Sequence, residues 1–257
     1  MARVPRTKSN TGYYHVVLRG NNRSTLFFDN QDRLTFLDYL SKQKDKNLIA
    51  INAYCLMDNH IHILIQEIDN NLSTAMHSIC TSYALYINKK YQRTGHLFDN
   101  RYRSETINDD KYLFAALRYI HQNPVKAGIC SNVEDYRWSS DQYYRNPANT
   151  KFVSTTILEF IDKDKSAAVS NYIRLMQTPE GNKFLDIPDD PLTDSEIMRI
   201  IKLELSKAGI SNIKDDRTRE KLTKLVSSLH VNNGVSIRKI ASSLGVSKGF
   251  VQSLLKE

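Results

Sequence analysis

The sequence of 257 residues predicts an α+β protein with an antiparallel sheet, followed by an all-α C-terminal module. Three observations lead to this expectation. In the first half of the chain, short β-branched runs alternate with amphipathic helical segments. Two of these runs are separated by little more than Asp58-Asn59, which predicts a hairpin. From Ser195 onward the pattern is helical.

The first four elements are predicted as strand, helix, strand and strand. The first strand is "YYHVVLRG", which Gly20 closes. A helix follows over "DNQDRLTFLDYLSKQKDK", and either Asp29 or Asn30 can cap it. The segments "LIAINAYCLM" and "HIHILIQE" form the two strands of the hairpin.

Three further elements complete this unit, which ends near Gly128. A helix over "NNLSTAMHSICTSYALYINKKYQRTG" stops at Gly95, and a strand follows near Tyr102–Ile107. The last helix, "NDDKYLFAALRYIHQ", is capped around Asn108 or Asp109, and Pro124 ends or redirects it. The order predicts a ferredoxin-like antiparallel sheet with helices on one face.

The chain is expected to divide into residues 1–130, a helical or linker extension over 131–192, and a C-terminal module over 193–257. Within the extension, "KFVSTTILEFI" and "AAVSNYIRLMQ" are predicted as short helices, and "DIPDDPLTD" as a linker. The last stretch, "SIRKIASSLGVSKGFVQSLLKE", is typical of a helix-turn-helix, with Gly245 in the turn.

The second helix of that predicted pair carries polar residues that can face a DNA groove or phosphates. Ser247 can cap this helix, and the outward-facing set consists of Ser247, Lys248, Gln252 and Lys256. A plain helical hairpin has the same apolar spacing. DNA binding by the module is therefore a hypothesis that its charge favours.

The formal charge of +8 is unevenly distributed. Residues 1–128 have a net charge of +6 and residues 193–257 a net charge of +5, whereas residues 129–192 have a net charge of −3. Two basic blocks favour a polyanionic partner, with nucleic acid as the leading candidate, because neutralised phosphates release counterions. A role in solubility alone is the other interpretation.

Cysteine spacing and hydropathy argue against several classes of protein. The three cysteines, Cys55, Cys80 and Cys130, are widely spaced and show no metal or disulfide pattern, which favours a reducing cytoplasm. No apolar run approaches the roughly 18–20 residues of a membrane span. The opening "MARVPRTKSN" lacks the apolar stretch of a signal peptide.

The segment "HIHILIQ" contains a possible metal site. Successive side chains of a strand point to opposite faces, so His60 and His62 point the same way, roughly 6–7 Å apart at the backbone. Two imidazoles at this spacing can converge on one divalent ion. The alternative is a pair of histidines on a solvated sheet face.

The segment "LRYIHQNPVKAG" contains a possible nucleophile. Tyr119 and Asn123 are four residues apart and share a helix face if the helix continues that far, although Pro124 disfavours helical geometry at Asn123. Such a pair would offer a phenol and a further metal ligand. A core tyrosine followed by a helix-ending Asn-Pro fits equally well, and with fourteen tyrosines spacing alone does not select Tyr119.

Four blocks together resemble the HUH single-tyrosine transposases, and particularly the REP-associated tyrosine transposases. They are "YHVVLRGNNR", "MDNHIHILI", "GHLFDNRYRS" and "YIHQNPVKAG", in that order over roughly residues 11–130. The resemblance implies that His60 and His62 bind Mg²⁺ or Mn²⁺ and that Tyr119 is the nucleophile. It gives Asn123 as the third ligand, with His121 as the alternative.

The implied function is a DNA transposase that cuts and rejoins single-stranded DNA through a 5′-phosphotyrosine intermediate. The implied partners are single-stranded or hairpin DNA, a second copy of the chain in a homodimer, and duplex DNA through the C-terminal module, with no membrane. The location expected is the bacterial cytoplasm, in association with the nucleoid. Two groups of residues could grip DNA, Arg19, Asn21, Asn22 and Arg23 after the first strand, and Arg101, Tyr102 and Arg103 near the fourth.

Three alternatives remain open. Minimal members of the family end soon after "NPVKAG", whereas this chain continues for well over a hundred residues. A non-catalytic sequence-specific DNA-binding regulator derived from a transposase is the main alternative, although the intact histidine pair and tyrosine argue against it. A replication initiator or relaxase fits the Asn-Pro block less well. An RNA-binding sheet would need exposed aromatic residues on its central strands, which "HIHILIQ" does not supply.

Overall fold

The structure is a computed structural model that describes residues 7–147, 152–178, 194–208, 218–227 and 237–255, together with positions 210, 213 and 229. The chain divides into two compact units, Met1–Leu185 and Asp186–Glu257. The first contains the sheet and the second is helical in its described residues. No helix in the described part of the chain is long and apolar enough to cross a membrane.

The first unit is built on a four-stranded antiparallel sheet in the order β2-β3-β1-β4. Its strands are β1 (Tyr13–Arg19), β2 (Ile49–Leu56), β3 (His60–Glu67) and β4 (Arg103–Ile107). The predicted antiparallel sheet is therefore confirmed. The hairpin of β2 and β3 is closed by Asp58 and Asn59, where the backbone N–H of Met57 donates to the carbonyl of His60 at 2.9 Å.

The described helices of this unit are α1 (Asn30–Asp45), α2 (Leu72–Lys90), α3 (Asp110–Lys126), α4 (Asp141–Arg145), α5 (Ile157–Ile161) and α6 (Lys165–Gln177). Aspartates cap the two helices where the sequence predicts caps. Asp29 accepts a hydrogen bond from the N–H of Asp32, and Asp109 accepts one from the N–H of Tyr112.

Two predicted helix ends are wrong. Helix α2 ends at Lys90 rather than Gly95, because the chain already enters the left-handed region at Gln92, with φ of 51°. Helix α3 continues through Pro124 to Lys126, and the N–H of Ala127 still donates to the carbonyl of Asn123 at 2.9 Å. Proline removes one hydrogen bond there, but the buried surroundings of this turn keep it helical.

The expectation that helices cover only one face of the sheet is also wrong. Tyr119 of α3 contacts His62, so α3 lies on the face that carries the histidines. Ile61 and Ile63 alternate with these histidines, point to the opposite face and are fully buried. Because both faces bury side chains, both must be covered by other elements.

Residues after α3 extend the edge of the sheet at β2. The N–H of Leu56 donates to the carbonyl of Trp138 at 3.0 Å, and the N–H of Ser140 donates to the carbonyl of Tyr54 at 2.9 Å. Further along, the N–H of Ser154 donates to the carbonyl of Ile51 at 2.7 Å. The described residues up to 178 thus belong to the same compact unit as the sheet, and this segment protects an otherwise open strand edge.

The second unit contains α7 (Asp194–Ala208), α8 (Arg219–Ser227), α9 (Ile237–Leu244) and α10 (Lys248–Leu254). Gly245 occupies the turn between the last two helices with φ of 67°, and the hydroxyl of Ser247 accepts a hydrogen bond from the N–H of Phe250. The helix pair is therefore present, while its function as a DNA-binding helix-turn-helix stays a prediction. The predicted linker "DIPDDPLTD" lies almost entirely outside the described residues. Lys256 also lies outside them.

Candidate active site

Strand β3 presents both predicted histidines on the same face of the sheet. The rings of His60 and His62 are 5.0 Å apart between centroids and nearly perpendicular, at 88°. The side chain of His60 is partly exposed, whereas His62 is 1% exposed. Their place on one face agrees with the period-2 alternation that the sequence predicts for this strand.

Helix α3 brings the predicted phenol and amide to these rings. The ring of Tyr119 meets the ring of His62 edge to face, with 5.4 Å between centroids. The Oδ1 of Asn123 lies 3.4 Å from the Nε2 of His60. Because α3 remains helical through Pro124, Tyr119 and Asn123 share one face and both point towards the histidines.

The donor atoms of this group suit a divalent cation. Cis ligands of an octahedral ion are about 3 Å apart, given metal–oxygen distances of about 2.1 Å. The 3.4 Å between the Oδ1 of Asn123 and the Nε2 of His60 is close to that spacing. The described residues include no cluster of three or more His, Cys, Asp or Glu side chains that could hold a metal, and this group has two histidines and an amide instead. The residues present therefore fit a divalent cation held by imidazole nitrogen and amide oxygen.

His121, the alternative third ligand, lies elsewhere. Its Nε2 is hydrogen-bonded to the hydroxyl of Ser140 and its Nδ1 to the hydroxyl of Tyr172, both at 2.7 Å. The ring is fully buried, and burial lowers its pKa to about 4. Both nitrogens thus have partners in the core, whereas Asn123 is the residue that approaches His60.

Two residues that the sequence reasoning did not select also contact this group. His15 is fully buried on β1, and its Nε2 lies 3.0 Å from the Nδ1 of His62. The Nζ of Lys126 lies over the ring of Tyr119, 4.5 Å from its centroid. The period-2 alternation along "YYHVVLR" could have indicated the face of His15, and the seven-residue spacing from Tyr119 could have indicated the face of Lys126. Neither pattern is specific to a functional site.

Burial keeps the inner histidines neutral. Desolvation lowers the pKa of His15 to about 3. Desolvation also lowers the pKa of His62 well below its ordinary value, with further contributions from His15, His60 and Lys126. A neutral imidazole has a lone pair on one nitrogen, which is the form that binds metal.

Arginines surround the histidine face at the ends of its strands. In the ladder Arg19 is directly opposite His60, and Arg103 is opposite Val17, which is itself opposite His62. Directly paired residues of an antiparallel ladder project to the same face. The structure therefore brings Arg19 and Arg103 to the face of the candidate site.

The other predicted DNA contacts lie in two places. Asn21 and Arg23 occupy a single 3-10 turn after β1, which is held to the loop before β4 by a hydrogen bond from the N–H of Asn21 to the carbonyl of Leu97. Arg101 is exposed in that loop. In the second unit, Lys248 and Gln252 are exposed on α10 and Ser247 is its N-cap.

The sheet presents two histidines of one strand to a tyrosine of α3. Residues 8–123 match the family described as "Transposase IS200 like". A protein of Haemophilus influenzae named as a REP-associated tyrosine transposase is 28% identical over 147 residues, which cover 52% of this chain and 81% of that protein. A solved structure of a REP-associated tyrosine transposase bound to a REP hairpin is similar with a TM-score of 0.48 and 22% identity, over 58% of this chain and 87% of the other.

Proposed function

We propose that this chain cuts and rejoins single-stranded DNA, with Tyr119 as the nucleophile. The observation that supports this most strongly is the approach of the Tyr119 ring to the His62 ring, 5.4 Å between centroids, beside the pair of His60 and Asn123. A phenol and a potential cation site in contact are the two parts that a tyrosine-dependent phosphoryl transfer needs.

In the proposed reaction the Oη of Tyr119 attacks the phosphorus of a backbone phosphodiester. The new bond joins that oxygen to phosphorus, and the bond from phosphorus to the 3′ oxygen breaks. The phenol loses its proton, and the leaving oxygen gains one to become a free 3′-hydroxyl. The 5′-phosphotyrosine retains the energy of the broken bond, so the reverse attack by a 3′-hydroxyl rejoins DNA without a nucleotide cofactor.

His60, His62 and Asn123 would hold Mg²⁺ or Mn²⁺ in this proposal. When bound, such an ion polarises the scissile phosphate and offsets the charge that develops on it. The three side chains fix where the phosphate lies relative to Tyr119. Their position on a central strand and an adjacent helix favours rigid placement, because neither element depends on a loop.

Lys126 supports the activation of the phenol. A free tyrosine has a pKa near 10 and is a weak nucleophile at neutral pH. The ammonium of Lys126 over the Tyr119 ring, at 4.5 Å, favours a negatively charged phenolate over a neutral phenol. The same charge can contact the substrate phosphate once DNA is bound.

The proposed partner is single-stranded or hairpin DNA, bound across the histidine face. Arg19 and Arg103 project to this face, while Asn21, Arg23 and Arg101 are the neighbouring contacts from the loops. Duplex contact through Ser247, Lys248 and Gln252, and assembly into a homodimer, are further parts of the proposal. The proposed duplex contact rests on the charge of residues 193–257, and the proposed homodimer rests on the family resemblance.

The substitution Tyr119→Phe tests the nucleophile. The full-length protein is incubated with labelled single-stranded hairpin oligonucleotides and Mn²⁺, and covalent complexes are separated on a denaturing gel. Tyr119→Phe is expected to abolish the covalent complex while leaving DNA binding intact, because only the hydroxyl is removed. Tyr112→Phe, two helical turns earlier on the same helix, is the matched control and should still form the complex.

Other outcomes separate the alternatives. A covalent complex that persists in Tyr119→Phe would contradict the assigned nucleophile. Specific DNA binding with no covalent complex for the unaltered chain, in either Mg²⁺ or Mn²⁺ and over many sequences, would favour the non-catalytic DNA-binding regulator. Loss of the complex on chelation, with recovery on addition of Mn²⁺, is the result expected if the cation is required.

A further inference from the structure

Strand β1 places a third histidine behind the pair on β3. His15 is fully buried, and its ring stacks on that of His62 with 5.2 Å between centroids and 26° between planes. It also meets the ring of Tyr119 edge to face at 5.7 Å. His15 therefore contacts one candidate ligand and the candidate nucleophile, without reaching the solvent side of the site.

One hydrogen bond links the two buried rings. The Nε2 of His15 and the Nδ1 of His62 are 3.0 Å apart, and a single proton lies between them. If that proton belongs to His62, the Nε2 of His62 has a free lone pair at the opposite edge of the ring. If it belongs to His15, the Nε2 of His62 must carry a proton and cannot bind a cation.

We propose that His15 is a positioning residue that accepts the Nδ1–H of His62 and thereby keeps the Nε2 of His62 available as a metal ligand. The inference rests on the proposed function for the identity of the ligand. Without an acceptor at position 15, the Nδ1–H of His62 would be buried and unsatisfied, which disfavours the tautomer that binds metal. Ligand histidines in proteins are commonly held by such a partner on their second nitrogen.

The far side of His15 does not by itself fix this direction. Its Nδ1 is buried and has no hydrogen-bond partner among the described residues. No described group there fixes the proton of His15, so the tautomer of the pair depends on what binds the outer nitrogen of His62. A cation at that nitrogen would select the arrangement in which His62 donates and His15 accepts.

The tautomer can be measured directly in the full-length protein without DNA, before and after addition of diamagnetic Mg²⁺. Ring ¹⁵N chemical shifts distinguish Nδ1–H from Nε2–H for each histidine, and calorimetric titration with Mn²⁺ gives affinity in the absence of DNA. We expect His62 to be Nδ1–H in the unaltered chain once Mg²⁺ is added. In His15→Phe the ring is retained without an acceptor, so His62 should change to Nε2–H and Mn²⁺ affinity should fall roughly 10–100-fold.

Three variants make the comparison specific. His15→Gln supplies an amide oxygen and should restore both the Nδ1–H tautomer and most of the affinity. Val16→Ala alters a buried residue on the opposite face of the same strand and should change neither. His15→Leu repeats the test with a smaller side chain if His15→Phe does not fold.

The proposal is overturned if His62 stays Nε2–H in the unaltered chain after Mg²⁺ is added, or if its tautomer is the same with phenylalanine or leucine at position 15. Failure of this inference is distinct from failure of the proposed function. The tautomer is read without DNA, whereas the proposed function is decided by the covalent complex on Tyr119.

Discussion

The side chain of Asn123 is the least expected member of the candidate site, because it precedes a proline. Its Oδ1 lies 3.4 Å from the Nε2 of His60, while its Nδ2 is buried and has no hydrogen-bond partner among the described residues. A buried amide with one unsatisfied end is unusual in a folded protein. The Oδ1 that faces His60 is the end of this amide that could bind a cation.

The charge of a second residue, Lys126, should affect the rate of covalent attachment. In Lys126→Gln we expect formation of the complex to slow by about tenfold at neutral pH, the equivalent of roughly 1.4 kcal/mol, because the phenolate of Tyr119 loses a cation over its ring. Single-turnover rates over a range of pH measure this, and the deficit should shrink as the pH rises.

Lys111→Gln is the matched control, since Lys111 is exposed near the start of the same helix. It should react at the rate of the unaltered protein. Equal slowing in both variants would indicate general loss of DNA affinity, and would contradict a specific role of Lys126 at Tyr119.

At the scale of elements, helix α3 has two functional faces. One face carries Tyr119 and Asn123 towards β3, and the other carries His121 into a buried network with the segment after the helix. In that network the hydroxyl of Tyr172 donates to Asp141 at 2.6 Å and contacts the Nδ1 of His121 at 2.7 Å. The residues after α3 therefore help fix the angle of the helix that carries Tyr119.

The substitution Tyr172→Phe tests this support. It removes the buried hydroxyl that bonds to Asp141 and to the Nδ1 of His121, so the free energy of unfolding should fall by about 1–3 kcal/mol, as measured by urea denaturation. Tyr39→Phe, a half-buried tyrosine on α1, should change it by less than about 0.5 kcal/mol. A stability for Tyr172→Phe equal to that of the unaltered protein would show that the network is not a significant support.

The sequence predicts the strands and helices of the first unit well, because each depends on local signals. Asp29 and Asp109 cap helices as expected, and the alternation in "HIHILIQ" gives the correct faces. The course of α3 through Pro124 is not predictable in this way, since burial of its last turn outweighs the local preference of proline. The contact of His15 with His62 depends on strand order, which has no local signal at all.

At the scale of the whole molecule, the chain consists of two compact units, and they should be separable in function. A chain shortened to residues 1–185 is expected to form the covalent complex with hairpin oligonucleotides, because every proposed catalytic residue lies within it. Its affinity for duplex DNA should fall, since residues 193–257 carry a net charge of +5 and the exposed Lys248 and Gln252. Gel-shift titrations at a fixed salt concentration measure both affinities.

Loss of covalent attachment by a folded 1–185 chain would contradict that division and would place part of the reaction in the second unit. Unchanged duplex affinity would contradict a DNA-binding role for α9 and α10. Circular dichroism of the shortened chain distinguishes either outcome from failure to fold.

Identification of the residue that is joined to DNA tests the central claim most directly. Trypsin cleaves after Arg118 and Lys126, so residues 119–126 form one peptide that contains Tyr119 as its only tyrosine. After reaction with a hairpin oligonucleotide, Mn²⁺ and nuclease digestion, mass spectrometry should find this peptide with a 5′-linked nucleotide on its phenol. A nucleotide on a different tyrosine, or no modified peptide despite confirmed DNA cleavage, would contradict the account.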